Sequence, residues 1–191
     1  MHAQTPSSPI RPPPARCSRR HWLVLASGGL GPAAAQPATA DLYRNASGWL
    51  DDQAQPWRLE ALRGRYTVLT MAYGACRRIC STSLRVMESL QQRADERGQP
   101  LDFVVIGLDP AGDKPADWAA WRRDRHLSRP NWHFLWGDEA ATRAIAQQLG
   151  VKVWRVDQHL MHDYKIVLLS PQGQLLRTVD RFDQALDTLL P

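Results

Sequence analysis

The chain has 191 residues, with 24 lysines and arginines against 19 aspartates and glutamates, a formal net charge of +5. The surplus sits in the first forty residues, where Arg11, Arg16, Arg19 and Arg20 have no acidic counterpart; the remainder carries 20 basic against 19 acidic groups. A nucleic-acid footprint needs a basic excess on the folded domain, so no nucleic-acid partner is expected, and three cysteines are too few for a disulfide scaffold.

Residues 1–40 read as an export signal and 41–191 as the mature domain. Arg19 and Arg20 stand directly before an apolar stretch that runs to about Ala35, and Ala38-Thr39-Ala40 supplies a small-x-small cleavage pattern. Roughly 14 apolar residues fall short of the ~20 that span a bilayer. This favours cleavage and a periplasmic location over a membrane anchor facing the same compartment. Ser18-Arg19-Arg20 fits a twin-arginine signal as well as an ordinary secretory n-region, and both readings stay open. Cys17 precedes the apolar run and would leave with the signal, so the mature protein would carry only Cys76 and Cys80, in an oxidising compartment.

About 150 residues then remain, enough for one core. Residues 57–61 read as a short strand before the turn at Leu62-Arg63-Gly64. Residues 66–72 form a β-rich apolar run, hence a buried strand. Ser81-Thr82-Ser83 open a helix whose apolar positions Leu84, Met87, Leu90 and Ala94 keep helical spacing to about Arg97. A second buried strand covers 102–108. A helix from Ala116 to about His126 sets Trp118 and Trp121 on one face. A third strand covers 132–136, and a helix from Glu139 to Leu149 closes at Gly150. Residues 165–170 and 174–179 flank Pro171-Gln172-Gly173 as a hairpin, and a last helix runs from about Asp183 to Leu190. This alternation predicts an α/β protein with a thioredoxin-like fold, a central mixed sheet with helices on both faces.

Cys76 and Cys80 fall where a buried strand turns into a helix. At i, i+4 on a helical turn both sulfurs lie on one side, so they can share a metal ion or close a disulfide. A helix N-terminus favours thiolates, and Arg77 and Arg78 add positive charge. Two thiolates need a further ligand, and His162 and His159 are candidates. Thiolate plus imidazole suits Cu(I), and with slight rearrangement Cu(II); structural zinc usually takes four protein ligands. Asp109 and Asp113 follow the second buried strand. If that strand runs parallel to 66–72, they lie at the same sheet edge as the cysteines, as contacts behind the metal or to a partner, or simply as turn and capping residues. His159 and Met161 read either as auxiliary ligands or as solvated loop residues.

Three segments carry a family resemblance. Met71-Ala72-Tyr73-Gly74-Ala75-Cys76-Arg77-Arg78-Ile79-Cys80 resembles the strand and C-x-x-x-C segment of the Sco/SenC family. Gly107 to Pro115 resembles its D-P-x-x-D-x-P motif, and His162 to Gly173 its histidine, apolar strand and P-x-G turn. The similarity covers roughly residues 47–180. It implies a copper-binding, thioredoxin-like protein that helps assemble the copper centre of cytochrome c oxidase, with Cys76, Cys80 and His162 as the metal ligands. The family usually has proline after each cysteine and aspartate before the histidine; here those positions are Arg77, Ser81 and Met161. Two functions are compatible with this resemblance, and a copper or redox sensor is a third reading. The first is a copper metallochaperone, which breaks no bond in a substrate and is not an enzyme; its partner would be an exported copper-enzyme subunit. The second is a thiol–disulfide oxidoreductase that reduces the acceptor's cysteines through Cys76 and Cys80, itself served by a periplasmic thiol reductant.

Overall fold

The computed structural model describes residues 41–44, 48–76, 79–157 and 159–191. The export segment with Cys17, Arg19 and Arg20, and the pair Arg77 and Arg78, lie outside the described residues.

Strands β1 (Trp49–Asp51) and β2 (Pro56–Trp57) form a small hairpin. They lead to β3 (Tyr66–Ala72), helix α1 (Ile79–Glu96), β4 (Leu101–Gly107), α2 (Pro115–Asp124), β5 (Trp132–Gly137) and α3 (Glu139–Leu149). A separate two-stranded ribbon follows, β6 (Val153–Val156) and β7 (His159–His162), and then β8 (Ile166–Leu169) and β9 (Leu175–Val179) return to the main sheet. That sheet has seven strands in the order β2-β1-β5-β4-β3-β8-β9. Its centre, β3-β4-β5, is parallel, while β1, β8 and β9 pair antiparallel. The fold is α/β and thioredoxin-like, with a mixed sheet.

The two central strands are apolar almost end to end because a parallel sheet is covered on both faces. All seven residues of β4 are buried, and six of the seven in β3. Their side chains alternate between two cores. Val68, Phe103, Val105 and Phe134 face α1 and α2, where Leu84, Met87, Leu90 and Trp118 cover them. Leu69, Met71, Val104, Ile106 and Leu135 face α3, where Ile145 and Leu149 do the same. Helix α3 has both termini satisfied: the Asp138 carboxylate accepts the Ala141 N–H at 2.8 Å, and Gly150 ends it at φ 63°.

Two expected elements differ. The short strand over 57–61 keeps only Trp57, because Leu59–Leu62 winds into a 3-10 turn. Leu59 and Leu62 are three apart and both fully buried, so one 3-10 turn sets both against the core. The last helix shrinks to a 3-10 turn at Leu186–Leu189. In the segment 181–188 only half-covered or exposed side chains occur, so no apolar stripe exists to hold a longer helix.

Candidate metal centre

The parallel register sets the site. Ala72 pairs with Gly107, so the chain leaves β3 and β4 at the same level. The loop after β3 carries Tyr73 to Cys76; the loop after β4 carries Asp109 to Asp113. They meet where the Gly74 N–H donates to Asp113 Oδ2 at 2.8 Å. Gly74 is needed there, since a Cβ on it would lie 2.7 Å from Asp113 Oδ1. Asp113 is 8 % exposed, and burial raises its pKa above the ordinary carboxylate value. Asp109 turns inward on its own loop instead, accepting from the Gly112 N–H at 3.2 Å. Asp113 thus holds the cysteine loop from behind, and Asp109 shapes the turn that presents Asp113.

Cys76 is half-buried at the loop's end and Cys80 is fully buried in the first turn of α1. The Cys80 N–H donates to Cys76 Sγ at 3.5 Å, so the helix N-terminus is aimed at that sulfur. The two cysteines are not joined by a disulfide. The helix start together with Arg77 and Arg78 predicts a lowered thiol pKa. Cys80 does the opposite: its hydrogen bond to the Cys76 sulfur and its burial push its pKa well up, so it keeps its proton. An entering metal ion displaces such a proton.

The third group comes from another sheet. His162 ends β7 and is 4 % exposed, and its Nε2 stands 3.5 Å from Cys80 Sγ. Its Nδ1 lies 2.8 Å from the Asp163 carbonyl oxygen. A carbonyl only accepts, so Nδ1 carries the hydrogen and Nε2 keeps its lone pair toward the sulfurs. The Tyr73 ring meets the imidazole edge-on at 5.8 Å and fixes it from the side. One donor atom from each of Cys76, Cys80 and His162 lies within 4.8 Å of the others. Two soft sulfurs and one imidazole nitrogen with a backbone-locked tautomer form a donor set suited to a copper ion.

His159 and Met161 do not join this cluster. They alternate with Leu160 and His162 along β7 and are exposed where those two are buried. They line a cleft of about 1090 Å³ together with Tyr73, Cys76 and His162. Sequence reasoning gave Tyr73 and Gly74 no role, although they stand three and two residues before Cys76. It also passed over Phe182, which is 63 % exposed at the rim of the same cleft.

A thioredoxin-like sheet with a Cys-Cys-His cluster at the carboxyl end of its parallel strands defines a class, and the comparisons narrow it. Residues 41–189 match the SCO1/SenC family, and the chain belongs to that family. A protein of Stutzerimonas stutzeri described as copper-binding is 29 % identical over 133 residues; the match spans 66 % of this chain and 63 % of that relative. Arabidopsis thaliana ScoI, solved with copper bound, superposes with a TM-score of 0.66 at 18 % identity over 75 % of this chain and 90 % of its own. BsSco is a member of the Sco family of cytochrome c oxidase assembly proteins in which a disulfide switch was identified. It superposes with a TM-score of 0.67 at 20 % identity over 80 % of this chain and 91 % of its own. Both structures share the fold of this chain.

Proposed function

We propose that this protein binds one copper ion through Cys76, Cys80 and His162 and passes it by ligand exchange to an exported copper enzyme, the copper centre of cytochrome c oxidase being the acceptor. The observation that carries the reading is the imidazole. Its Nδ1–H is spent on a backbone carbonyl, and its Nε2 faces two sulfurs. A protein that only exchanges disulfides has no use for that arrangement. Copper is cargo here, so the protein makes and breaks no substrate bond. Residues 1–40 would act as the export signal, with 41–191 working in the periplasm. No helix among the described residues is long and apolar enough to cross a membrane.

The test is a copper titration of the reduced protein, wild type against His162→Ala. One copper per chain is expected, held at least about tenfold more weakly in the variant. Equal affinity in the two proteins refutes the three-ligand site.

One observation favours a second activity. Cys76 is reachable from the cleft, whereas Cys80 is buried beside it. That suits a thiol–disulfide oxidoreductase. The Cys76 thiolate attacks the acceptor's disulfide, releasing one acceptor thiolate and forming a mixed disulfide. Cys80 then loses its proton and displaces the second acceptor sulfur. The acceptor gains two electrons and this protein ends as the Cys76–Cys80 disulfide, to be reduced again by a thiol reductant. A chain that reduces an acceptor peptide's disulfide at undiminished rate after His162→Ala would support this reading.

A further inference from the structure

We propose a second soft-metal site, for Cu(I), on the outer face of the β6–β7 ribbon. It is built from the Met161 thioether and the His159 imidazole under the Trp154 indole. The inference rests on the copper reading above for the identity of the metal, but on none of the residues of the first cluster.

The register of the ribbon gathers the donors. Trp154 pairs with Met161, and Val156 with His159. Side chains alternate along a strand, so these four share one face, and Val153, Arg155, Leu160 and His162 share the other. Along β7 the burial follows that division, whereas all four residues of β6 are exposed. Leu160 and His162 are buried, while Trp154 is 45 % exposed, Met161 36 % and Val156 49 %, with His159 also exposed. Residues directly opposite on antiparallel strands bring their Cβ atoms to about 4.5–5.5 Å, and diagonal neighbours to ~7–8 Å. The long Met161 side chain therefore has Trp154 in direct reach and His159 on the same strand face two residues away.

The chemistry of this square is specific. A thioether and a neutral imidazole are soft ligands for Cu(I) and poor ones for magnesium or calcium. An indole face attracts a cation placed above it. Among the described residues no side-chain hydrogen bond or ion pair engages the His159 imidazole or the Met161 thioether. Met161 and His159 also line the cleft that Cys76 and His162 line. A thioether–imidazole pair cannot outcompete two thiolates for Cu(I), so the ribbon fills second.

The full-length chain with Cys17, Cys76 and Cys80 all changed to serine separates this site from the first. Its methionine methyls are labelled with carbon-13, and it is titrated anaerobically with Cu(I), and with Ag(I) as a redox-inert stand-in. The expected result is saturation at one equivalent, with the Met161 methyl resonance moving while those of the buried Met71 and Met87 stay in place. Adding Met161→Leu or His159→Phe weakens binding by about tenfold or more. Adding Trp154→Leu keeps the stoichiometry and abolishes the accompanying quench of tryptophan emission. The wild-type chain gives the same answer if the serine variant does not fold: its second equivalent, and not its first, moves the Met161 methyl. A stationary Met161 methyl, or undiminished binding after Met161→Leu, overturns the proposal and leaves the ribbon face as an apolar contact surface. Failure of the main copper reading shows separately, as loss of the first, thiol-dependent equivalent.

Discussion

Gly74→Ala should damage the site without touching a ligand. The new Cβ would meet Asp113 Oδ1 at 2.7 Å and Asp113 Cγ at 3.5 Å, so the carboxylate has to move. It cannot move and still accept the Gly74 N–H, which it now does at 2.8 Å through Oδ2. A hydrogen bond to a charged acceptor is worth about 1.5–3 kcal/mol, and the orphaned N–H is only partly open to water. The expected loss of stability is therefore about 2 kcal/mol in urea denaturation of the metal-free, reduced protein, with an unchanged m-value. Loss of an outer contact of this kind typically costs 10–100-fold in metal affinity, so copper binding should fall by at least about tenfold. Asp113→Ala removes the obstacle as well as the acceptor. The double variant should then be no worse than Asp113→Ala alone, a coupling of more than about 1 kcal/mol. Additivity of the two substitutions within about 0.5 kcal/mol would refute the claim that this contact holds the cysteine loop.

Three further outcomes follow from other parts of the structure. Tyr43 is buried with its hydroxyl donating to Thr67 Oγ1 at 2.8 Å, and burial raises its pKa from 10.0 to about 12. The native state therefore loses roughly 2–3 kcal/mol of stability as pH climbs from 10 toward 12, and this loss is absent below pH 10. Tyr43→Phe should flatten that alkaline limb in denaturation curves recorded across the range, at a cost of about 1 kcal/mol near neutrality; an unchanged slope would count against the burial effect. Iodoacetamide should alkylate Cys76 well before Cys80, which is fully buried and keeps its proton; peptide mapping by mass spectrometry reads the order, and equal rates would contradict the described exposure. Asp138→Ala removes the cap of α3 and should lower stability by about 1 kcal/mol in thermal or urea melts while leaving the copper titration unchanged.

The parallel centre of the fold and its cysteine pair were legible in the sequence because their signals are local. Largely apolar, β-rich runs mark β3 and β4, a strand end followed by C-x-x-x-C and a hydroxyl run marks the start of α1, and Gly150 closes α3. The ribbon was not legible. Every residue of β6 is exposed, so it has no burial pattern, and its turn depends on Asp157 at φ 53°, which carries no glycine signal. Strand β1 is three residues long, too short for alternation to register. At the site, Cys76 and Cys80 could be paired from spacing alone, whereas His162 is 82 residues from Cys80 and needed the matched segment that follows it. The high pKa of Cys80 was out of reach as well. Sequence shows a helix start that favours thiolates, but burial and the neighbouring sulfur decide the direction, and both are tertiary facts.

The three donor groups do not belong to one sheet. Cys76 and Cys80 hang from the junction of β3 and α1 in the seven-stranded sheet, while His162 is carried by the separate two-stranded ribbon. An ion held by all three therefore acts as a rivet across a seam, and its binding energy is also the energy that keeps the seam shut. Letting the ribbon swing outward by a local opening would cost chiefly the contacts of Leu160 and His162, since these are its buried side chains and every residue of β6 is exposed. In the copper delivery proposed above, release then need not wait for three bonds to break around a rigid cage: a partner that pries at the ribbon would withdraw the imidazole first and leave the ion on two sulfurs, one of which lines the cleft.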